Sequence, residues 1–525
     1  MLKTRIIPRL DIKGPNLVKG VHLEGLRVLG LPERFSNNYS QDGADELIYI
    51  DTVASLYGRN NLEGVVRRTA KNVFVPITVG GGIRSIDDIR LLLRAGADKV
   101  AINTAAIKNP ALISEGAKMF GSQCIVVSIQ AMRASSGKYE AYTDNGREST
   151  GKDVFEWVKH AVDLGAGEIL ITSIDQEGTG EGYDIELIAG IVESISVPVI
   201  ACGGAGNVKH FEEVIRQCNV DAVCAASIFH YHFLKKFGVE KREEGNVEYL
   251  KSLFEKETLT LKKLQTTSVS GLKTYLSKTD SSYCKSEQEK IENNIQIETN
   301  NKWAKLVIID YGLCNLFSVE SAFKSIGANV EITNDLDKIK KADGLIIAGV
   351  GAFSDGMKYF WDNGLVSSIK YYAVRNKPIL GICLGMQLFM SRGEEFGLHE
   401  GLCLISGKVT RLQERDDEGI KVKVPHIGWS CIKPPCMKDR NVGSNDCGWP
   451  KGHILHDIDI EDSFYFLHSY VVSPKDLSLV VAETNHGTNT FCSVIKKGNI
   501  VGCQFHPERS GVAGLKIFRN FVDSI

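Results

Sequence analysis

The sequence predicts an α/β protein of two domains, an N-terminal (βα)8 TIM barrel and a separate C-terminal α/β domain. Three observations carry this. The 525 residues exceed what one ordinary core supports. Eight short apolar runs, each followed by a stretch long enough for a helix, fill about the first 250 residues. Beyond a polar segment, a fresh series of apolar runs begins with LVIIDYG at 306–312.

In order, the eight runs are RIIPRLDI (5–12), ELIYID (46–51), PITVGGG (76–82), DKVAIN (98–103), CIVVSI (124–129), EILITS (168–173), VPVIACGG (197–204) and DAVCAAS (221–227). Apolar throughout, they suit parallel strands covered on both faces. The barrel reads as duplicated. GGGIRS at 80–85 parallels CGGAGN at 202–207, AINTAA at 101–106 parallels CAASIF at 224–229, and Asp11 stands 119 residues before position 130. Two copies of a half-barrel place two equivalent sites across one mouth. In this pattern IVVSIQAMR at 125–133 copies the first strand but ends on Gln130 where its counterpart ends on Asp11. The expected domains are 1–256, a polar linker at 257–303 with room for one helix, and 304–525; a Pro-, Gly- and Cys-rich stretch at 433–452 reads as a surface insertion.

The bulk chemistry narrows the function. Apolar residues make up 43% and charged residues 24%, the balance of a soluble globular protein. A net charge of −2 gives no electrostatic case for a nucleic-acid partner. The 13 cysteines form no CxxC pair, which fits reduced thiols better than a disulfide framework. The N-terminus has no signal-peptide pattern, and no run of 18 apolar residues occurs to span a membrane. These features predict a cytoplasmic protein, and no motif calls for a metal or a cofactor.

Two sets of residues carry chemistry. GICLGMQ at 381–387 sets Cys383 between two glycines, after a buried strand and before a helical pattern, the form of a nucleophile elbow. The following helix would aim its positive end at the thiol and lower its pKa. QFHPERSG at 504–511 offers His506 as a base, with Glu508 two residues on and able to orient it. The glycines of AGVGAF, Gly349 and Gly351, with the backbone of Leu384, are candidates for an oxyanion hole. One buried thiol among 13 would carry little weight, but these segments together do. In the barrel, Gly81–Gly82 with Asn103 and Thr104, and Gly203–Gly204 with Ala226 and Ser227, make two candidate phosphate cradles, with Glu177 and Gly178 beside the second. They imply a small molecule with a phosphate at each end. Arg5, Glu46, Lys99 and Glu168 begin alternate strands and should point inward, where four charges are costly unless they pair with one another.

DYGLCNL, GVGAF, GICLGMQ, PHIGW, YFLHSY and QFHPERSG make the C-terminal half resemble a class I glutamine amidotransferase, specifically the glutaminase of imidazole glycerol phosphate synthase. MLKTRIIPRLDIK, VKG, DELIYID, TVGGGI, GADKVAINTAA, GAGEILITSID and GGAG make residues 1–255 resemble the cyclase of the same synthase. The resemblance implies glutamine hydrolysis by Cys383, His506 and Glu508. It implies that the barrel docks with the glutaminase within the molecule. Ammonia would then pass a gate of Arg5, Glu46, Lys99 and Glu168 to a bisphosphorylated ribulosyl aminoimidazole carboxamide ribotide, for histidine biosynthesis. It matches Asp11 to one of two cyclase carboxylates and Lys19 to a basic residue on a mobile first loop, although an isolated loop lysine is more often solvated.

Departures from the family cluster on the cyclase. Gln130 replaces the second carboxylate and cannot ionise, Glu177 stands for Asp, and Arg9 stands for Cys. Ala348 and Arg509 stand where the family has Pro and Lys, and the barrel precedes the glutaminase instead of following it. Three functions are therefore open. They are the complete synthase, a paralogue feeding ammonia to another acceptor such as a surface-polysaccharide sugar, and a barrel retained as scaffold or activator of the glutaminase.

Overall fold

The computed structural model describes residues 4–54, 62–239, 264–279, 297–313, 315–415, 419, 421–435, 449, 452–487 and 489–525. They form two compact units, one of 4–117 with 124–279 and a second whose main body is 297–525. Most of the 433–452 stretch, and 257–263 and 280–296 of the linker, lie outside the described residues.

In the first unit eight parallel strands close on themselves. They are β1 (Arg5–Lys13), β4 (Leu47–Asp51), β5 (Ile77–Gly80), β6 (Lys99–Ile102), β7 (Ile125–Arg133), β10 (Glu168–Ser173), β11 (Val199–Cys202) and β12 (Ala222–Ala225). The ring runs β1-β4-β5-β6-β7-β10-β11-β12, with β12 pairing back to β1. The apolar runs become strands because both faces are covered, the inner one by the barrel's own packed side chains. Ile7, Ile48, Ala101, Val126, Leu170 and Ile200 share one interior cluster.

Two hairpins extend the barrel where no continuous apolar run announces them. β2 (Asn16–Val21) and β3 (Glu24–Gly30) continue from β1, and β8 (Tyr139–Thr143) and β9 (Glu148–Asp153) continue from β7. Asp11 faces Val18 in the first, and Gln130 faces Tyr142 in the second. The half-barrel repeat is thus written into the backbone. Gly81 and Gly203 have φ of 99° and 101°, and Asn103 and Ala226 share φ near −120° (−119° and −121°).

Helix Val269–Thr279, from the linker region, packs on the barrel. Asp42 accepts hydrogen bonds from the Val269 and Ser270 amides at 2.6 and 3.3 Å, satisfying donors that a helix start leaves open. Val269, Leu272 and Leu276 are buried, and Lys273 pairs with Asp45 at 2.6 Å.

The second unit centres on a seven-stranded sheet. Its strands run Asn329–Thr333, β13 (Lys305–Ile309), β15 (Gly344–Gly349), β16 (Ile379–Cys383), Ile500–Cys503, Asn489–Lys497 and Val480–His486, with Asn329–Thr333 as β14. The pairings from β14 to Ile500–Cys503 are parallel and the last two antiparallel. A two-stranded ribbon, His426–Cys431 with Ser463–His468, stands beside it. In this fold class ligands bind at the carboxyl ends of parallel strands, which is where β15 and β16 deliver Gly349 and Cys383.

Candidate functional site

Cys383 ends β16 with φ 51° and ψ −106°, a backbone that side chains other than glycine seldom adopt. Its neighbours show why they are glycines. A Cβ on Gly385 would fall 1.6 Å from the Ile347 carbonyl oxygen, and one on Gly381 would fall 2.5 Å from the Phe389 ring. The turn buries the thiol to 2% exposure, at the start of a helix only five residues long, Leu384–Leu388.

His506 lies on the next strand's exit, after Ile500–Cys503, which pairs with β16. Its Nδ1 is 2.7 Å from Glu508 Oε1, and both side chains are buried. Burial alone would lower the imidazole pKa, but the Glu508 carboxylate and the Cys383 sulfur outweigh it and hold His506 well above its usual value. Nε2 makes no conventional hydrogen bond to nitrogen or oxygen, and its coupling is to the Cys383 sulfur. The three expected residues therefore meet, with the imidazole between acid and thiol. Gly349 lies in register with Cys383, and Gly351, Cys383 and Leu384 line one small cavity.

Residues that the motifs did not assign share this cavity. Glu395 and His468 line it with Gln387. Burial pushes the Glu395 carboxyl up to about 7, although the Phe353 amide donates to it at 2.8 Å. Gln387 donates to Gln504 at 3.3 Å, and Gln504 donates to the Cys383 sulfur at 3.6 Å. Only the quoted GMQ and YFLHSY segments hinted at Gln387 and His468; Glu395 had no signal.

In the barrel, the four charges expected to point inward form a closed ring. Arg5 bonds Glu46 at 2.8 Å and Glu168 at 2.6 Å, and Lys99 bonds the same two at 2.8 and 2.6 Å. All are at most 1% exposed. Burial would raise the Glu46 pKa, but Arg5 and Lys99 reverse this and bring it to about 2. Along β1 the inward positions then read Ile7, Arg9 and Asp11, climbing from the ring to the mouth.

At the mouth Asp11 is not free. Arg9 Nε bonds its Oδ1 at 2.8 Å, and Lys19 Nζ is 3.7 Å from its Oδ2. Arg9 also reaches Thr172 Oγ1 at 3.4 Å and Cys202 Sγ at 3.5 Å. Lys19 pairs with Glu177, so the reading of a solvated loop lysine is corrected: it lies in the β2–β3 hairpin, 4% exposed. A partner 158 residues away in sequence hides it. Gln130 Oε1 accepts from Asn103 Nδ2 at 3.1 Å.

The residues of each candidate cradle line a cavity, and the two cavities differ in size. Gly81, Gly82, Asn103 and Thr104 line a cavity of about 300 Å³ with Gln130. Glu177, Gly178, Gly203, Gly204, Ala226 and Ser227 enclose about 20 Å³. Among the described residues no group of side chains is arranged to hold a metal ion, and no helix is long and apolar enough to cross a membrane. The nine described cysteines are free thiols.

Comparison with known proteins agrees with this division. Residues 5–235 match the histidine biosynthesis protein family, and residues 307–525 match the class-I glutamine amidotransferase family. The imidazole glycerol phosphate synthase subunit HisF of Legionella pneumophila is 63% identical over 211 residues, covering 40% of this chain and all (100%) of that protein. The subunit HisF of Bacillus cereus (strain G9842) is 50% identical over 249 residues, covering 47% of this chain and 99% of that protein. Barrel, elbow and sequence likeness converge: the chain belongs to the imidazole glycerol phosphate synthase family, with a HisF-like barrel and a class-I glutamine amidotransferase domain in one polypeptide.

Proposed function

We propose that Cys383, His506 and Glu508 hydrolyse glutamine and that the barrel passes the released ammonia to a phosphorylated acceptor. The observation that carries the first half is the 2.7 Å contact from Glu508 to a His506 kept protonated beside the strained Cys383. The sulfur attacks the carboxamide carbon, and the C–N bond breaks as His506 gives a proton to the departing nitrogen. Water then attacks the thioester, His506 takes its proton, and glutamate leaves as the C–S bond breaks, returning the sulfur and the protonated imidazole to their starting state. Backbone N–H groups at Gly351 and Leu384 steady the oxyanion. Glu395, buried with no ion pair to a cationic side chain among the described residues, meets the ammonium group of glutamine.

Transfer of ammonia past Arg5, Glu46, Lys99 and Glu168 is part of this reading. A closed, charge-neutral ring supports it, since neutral ammonia can pass where opening requires only the exchange of ion-pair partners. In the complete reaction the acceptor is the bisphosphorylated ribulosyl aminoimidazole carboxamide ribotide, and imidazole glycerol phosphate is released together with aminoimidazole carboxamide ribotide.

A second reading rests on the mouth. Arg9 occupies the Asp11 carboxylate and Gln130 cannot ionise, so acid–base closure of a ring lacks both of its groups. An acceptor whose carbon is already electrophilic would need neither, and this favours amidation of another phosphorylated compound.

One assay separates these readings: purified protein, glutamine and the ribulosyl ribotide, followed for glutamate and for imidazole glycerol phosphate. Both products, with the second lost in Asp11→Asn, support the synthase. Glutamate alone supports another acceptor. Cys383→Ala should end glutamate release; persistence of that activity would sink the triad assignment.

A further inference from the structure

Two thiols inside the barrel have no part in the reactions above. Cys202 ends β11 and faces Cys224 of β12 in the strand register, and both belong to the interior cluster. Among the described strand pairings this is the one position at which two cysteines stand opposite each other. Neighbouring strands run roughly 4.8 Å apart. Closing a sheet into a barrel brings inward-pointing side chains nearer than their Cα atoms, and a disulfide spans Cα separations of roughly 4.4–6.8 Å. Two inward-facing cysteines in register therefore meet the backbone requirement for a bond between their sulfurs.

Their surroundings give the two sulfurs different chemistry. The Cys224 thiol donates a hydrogen bond to the Cys202 sulfur, and Arg9 Nη1 donates to the same sulfur at 3.5 Å. These contacts outweigh burial and the Glu177 carboxylate and hold the Cys202 thiol below its usual pKa. Burial and the hydrogen bond it gives hold Cys224 well above. One sulfur is thus prepared as a thiolate and its neighbour as a thiol, the division that an attacking cysteine and a resolving partner need. Buried cysteines without such partners behave otherwise: burial pushes both Cys492 and Cys503, in the amidotransferase unit, well up. Cys224 also lines the cavity at the Gly203–Gly204 turn, at the carboxyl ends of β11 and β12, which gives a small oxidant a route to the pair.

We infer that Cys202 and Cys224 form a redox modification site, a dithiol that hydrogen peroxide converts to a disulfide joining β11 to β12. The Cys202 sulfur attacks one peroxide oxygen, the O–O bond breaks, and the departing oxygen takes a proton and leaves as water. Cys202 is then a sulfenic acid. The Cys224 sulfur attacks it, the S–O bond breaks, and the hydroxyl leaves as water with the Cys224 proton. The two sulfurs lose the two electrons that the peroxide gains. A disulfide sulfur cannot ionise, so the charge drawn to Arg9 falls to Asp11 and Glu177. The bond thereby couples the oxidation state of the barrel to the group that holds Asp11, whichever acceptor the barrel serves.

The test treats the full chain with hydrogen peroxide under native conditions, blocks free thiols with N-ethylmaleimide during unfolding, and reads tryptic peptides by mass spectrometry. A cross-linked pair carrying Cys202 and Cys224 is expected, lighter than its two peptides by two hydrogens and separated by dithiothreitol. Cys218 shares a tryptic peptide with Cys224, so Cys218→Ala should keep the cross-link and Cys224→Ala should abolish it. In Cys224→Ala, dimedone should mark Cys202 as the sulfenic acid; if that variant does not fold, Cys224→Ser gives the same readout. The unaltered chain supplies a second measurement. Hydrogen exchange in peptides from β11 and β12 should slow at least about tenfold on oxidation and recover on reduction. Full alkylation of both thiols at a peroxide dose that has oxidised the exposed Cys403, or a link from either to another cysteine, overturns the inference. So does exchange that is unchanged or faster in the cross-linked chain, which would mark a bond the strands are not built to hold.

Discussion

Arg9 gives the sharpest quantitative expectation. Its guanidinium lies 2.8 Å from Asp11, with the two side chains 2% and 3% exposed. With an effective dielectric constant near 20, the gross attraction is about 6 kcal/mol for this pair and about 4.5 kcal/mol for Lys19 at 3.7 Å. Arg9→Met therefore leaves Asp11 with part of its neutralisation. Removing one partner of a buried pair ordinarily costs 3–5 kcal/mol, and Lys19 should hold the cost to about 3 kcal/mol. Asp11→Asn leaves Arg9 with Thr172 and Cys202 as contacts and the attraction of Glu177, and should cost a similar amount. The Arg9→Met/Asp11→Asn double variant removes both charges and should recover at least about 2 kcal/mol relative to the sum of the singles. Native-state hydrogen exchange, read on peptides from β1 and β7, isolates barrel stability from the other unit. A coupling below about 0.5 kcal/mol would refute the claim that Arg9 holds Asp11, and with it the second functional reading.

Other outcomes follow from the same geometry. Gln130→Asp alone should raise imidazole glycerol phosphate formation less than about tenfold because Arg9 still holds Asp11, whereas Arg9→Cys with Gln130→Asp should gain about 10²–10⁴; the product assay decides. Glu395→Gln should raise KM for glutamine by about 10- to 100-fold, from the loss of a charge-assisted contact, with a smaller change in kcat. Because the free Glu395 carboxyl ionises at about 7 and only its anion pairs with an ammonium, 1/KM should fall about tenfold per unit below that pH, a slope absent from the variant. In the amidotransferase unit, burial holds His426 well below its usual pKa and His468 at about 3, so the unfolded chain binds protons below pH 6.5 that the folded chain refuses. Stability should therefore drop by about 1.4 kcal/mol per pH unit for each histidine as pH falls from 6.5, and His426→Phe should remove about half of that slope in hydrogen exchange of the 426–431 ribbon.

The parts that sequence made legible are those governed by local pattern. Seven of the eight barrel strands begin and end within two residues of their apolar runs, because strands buried on both faces need an unbroken apolar run, and β7 runs four residues past the end of its run. The Cys383 elbow was readable because a sharp turn at a fixed place demands glycines on both sides. The two hairpins were missed since they carry polar residues along one face, as in NLVKGV and ESTGKD. The repeat correctly predicted matching backbones at Gly81 and Gly203. It could not predict unequal cavities, which depend on how the 178–182 segment and the β2–β3 hairpin fold over one of them. Lys19, Glu177 and Glu395 belong to the same class: their states are set by burial and by partners far along the chain.

The backbone at Cys383 has one more consequence. Holding a non-glycine residue at φ 51° and ψ −106° costs on the order of 1–3 kcal/mol. Glycine at that position would relax the turn, so a Cys383→Gly chain should be harder to unfold and unable to use glutamine. The simplest route to a sturdier fold here runs through the loss of its nucleophile. Directed selection for thermostability alone should find that route, and any such screen on this protein needs ammonia release as a second filter.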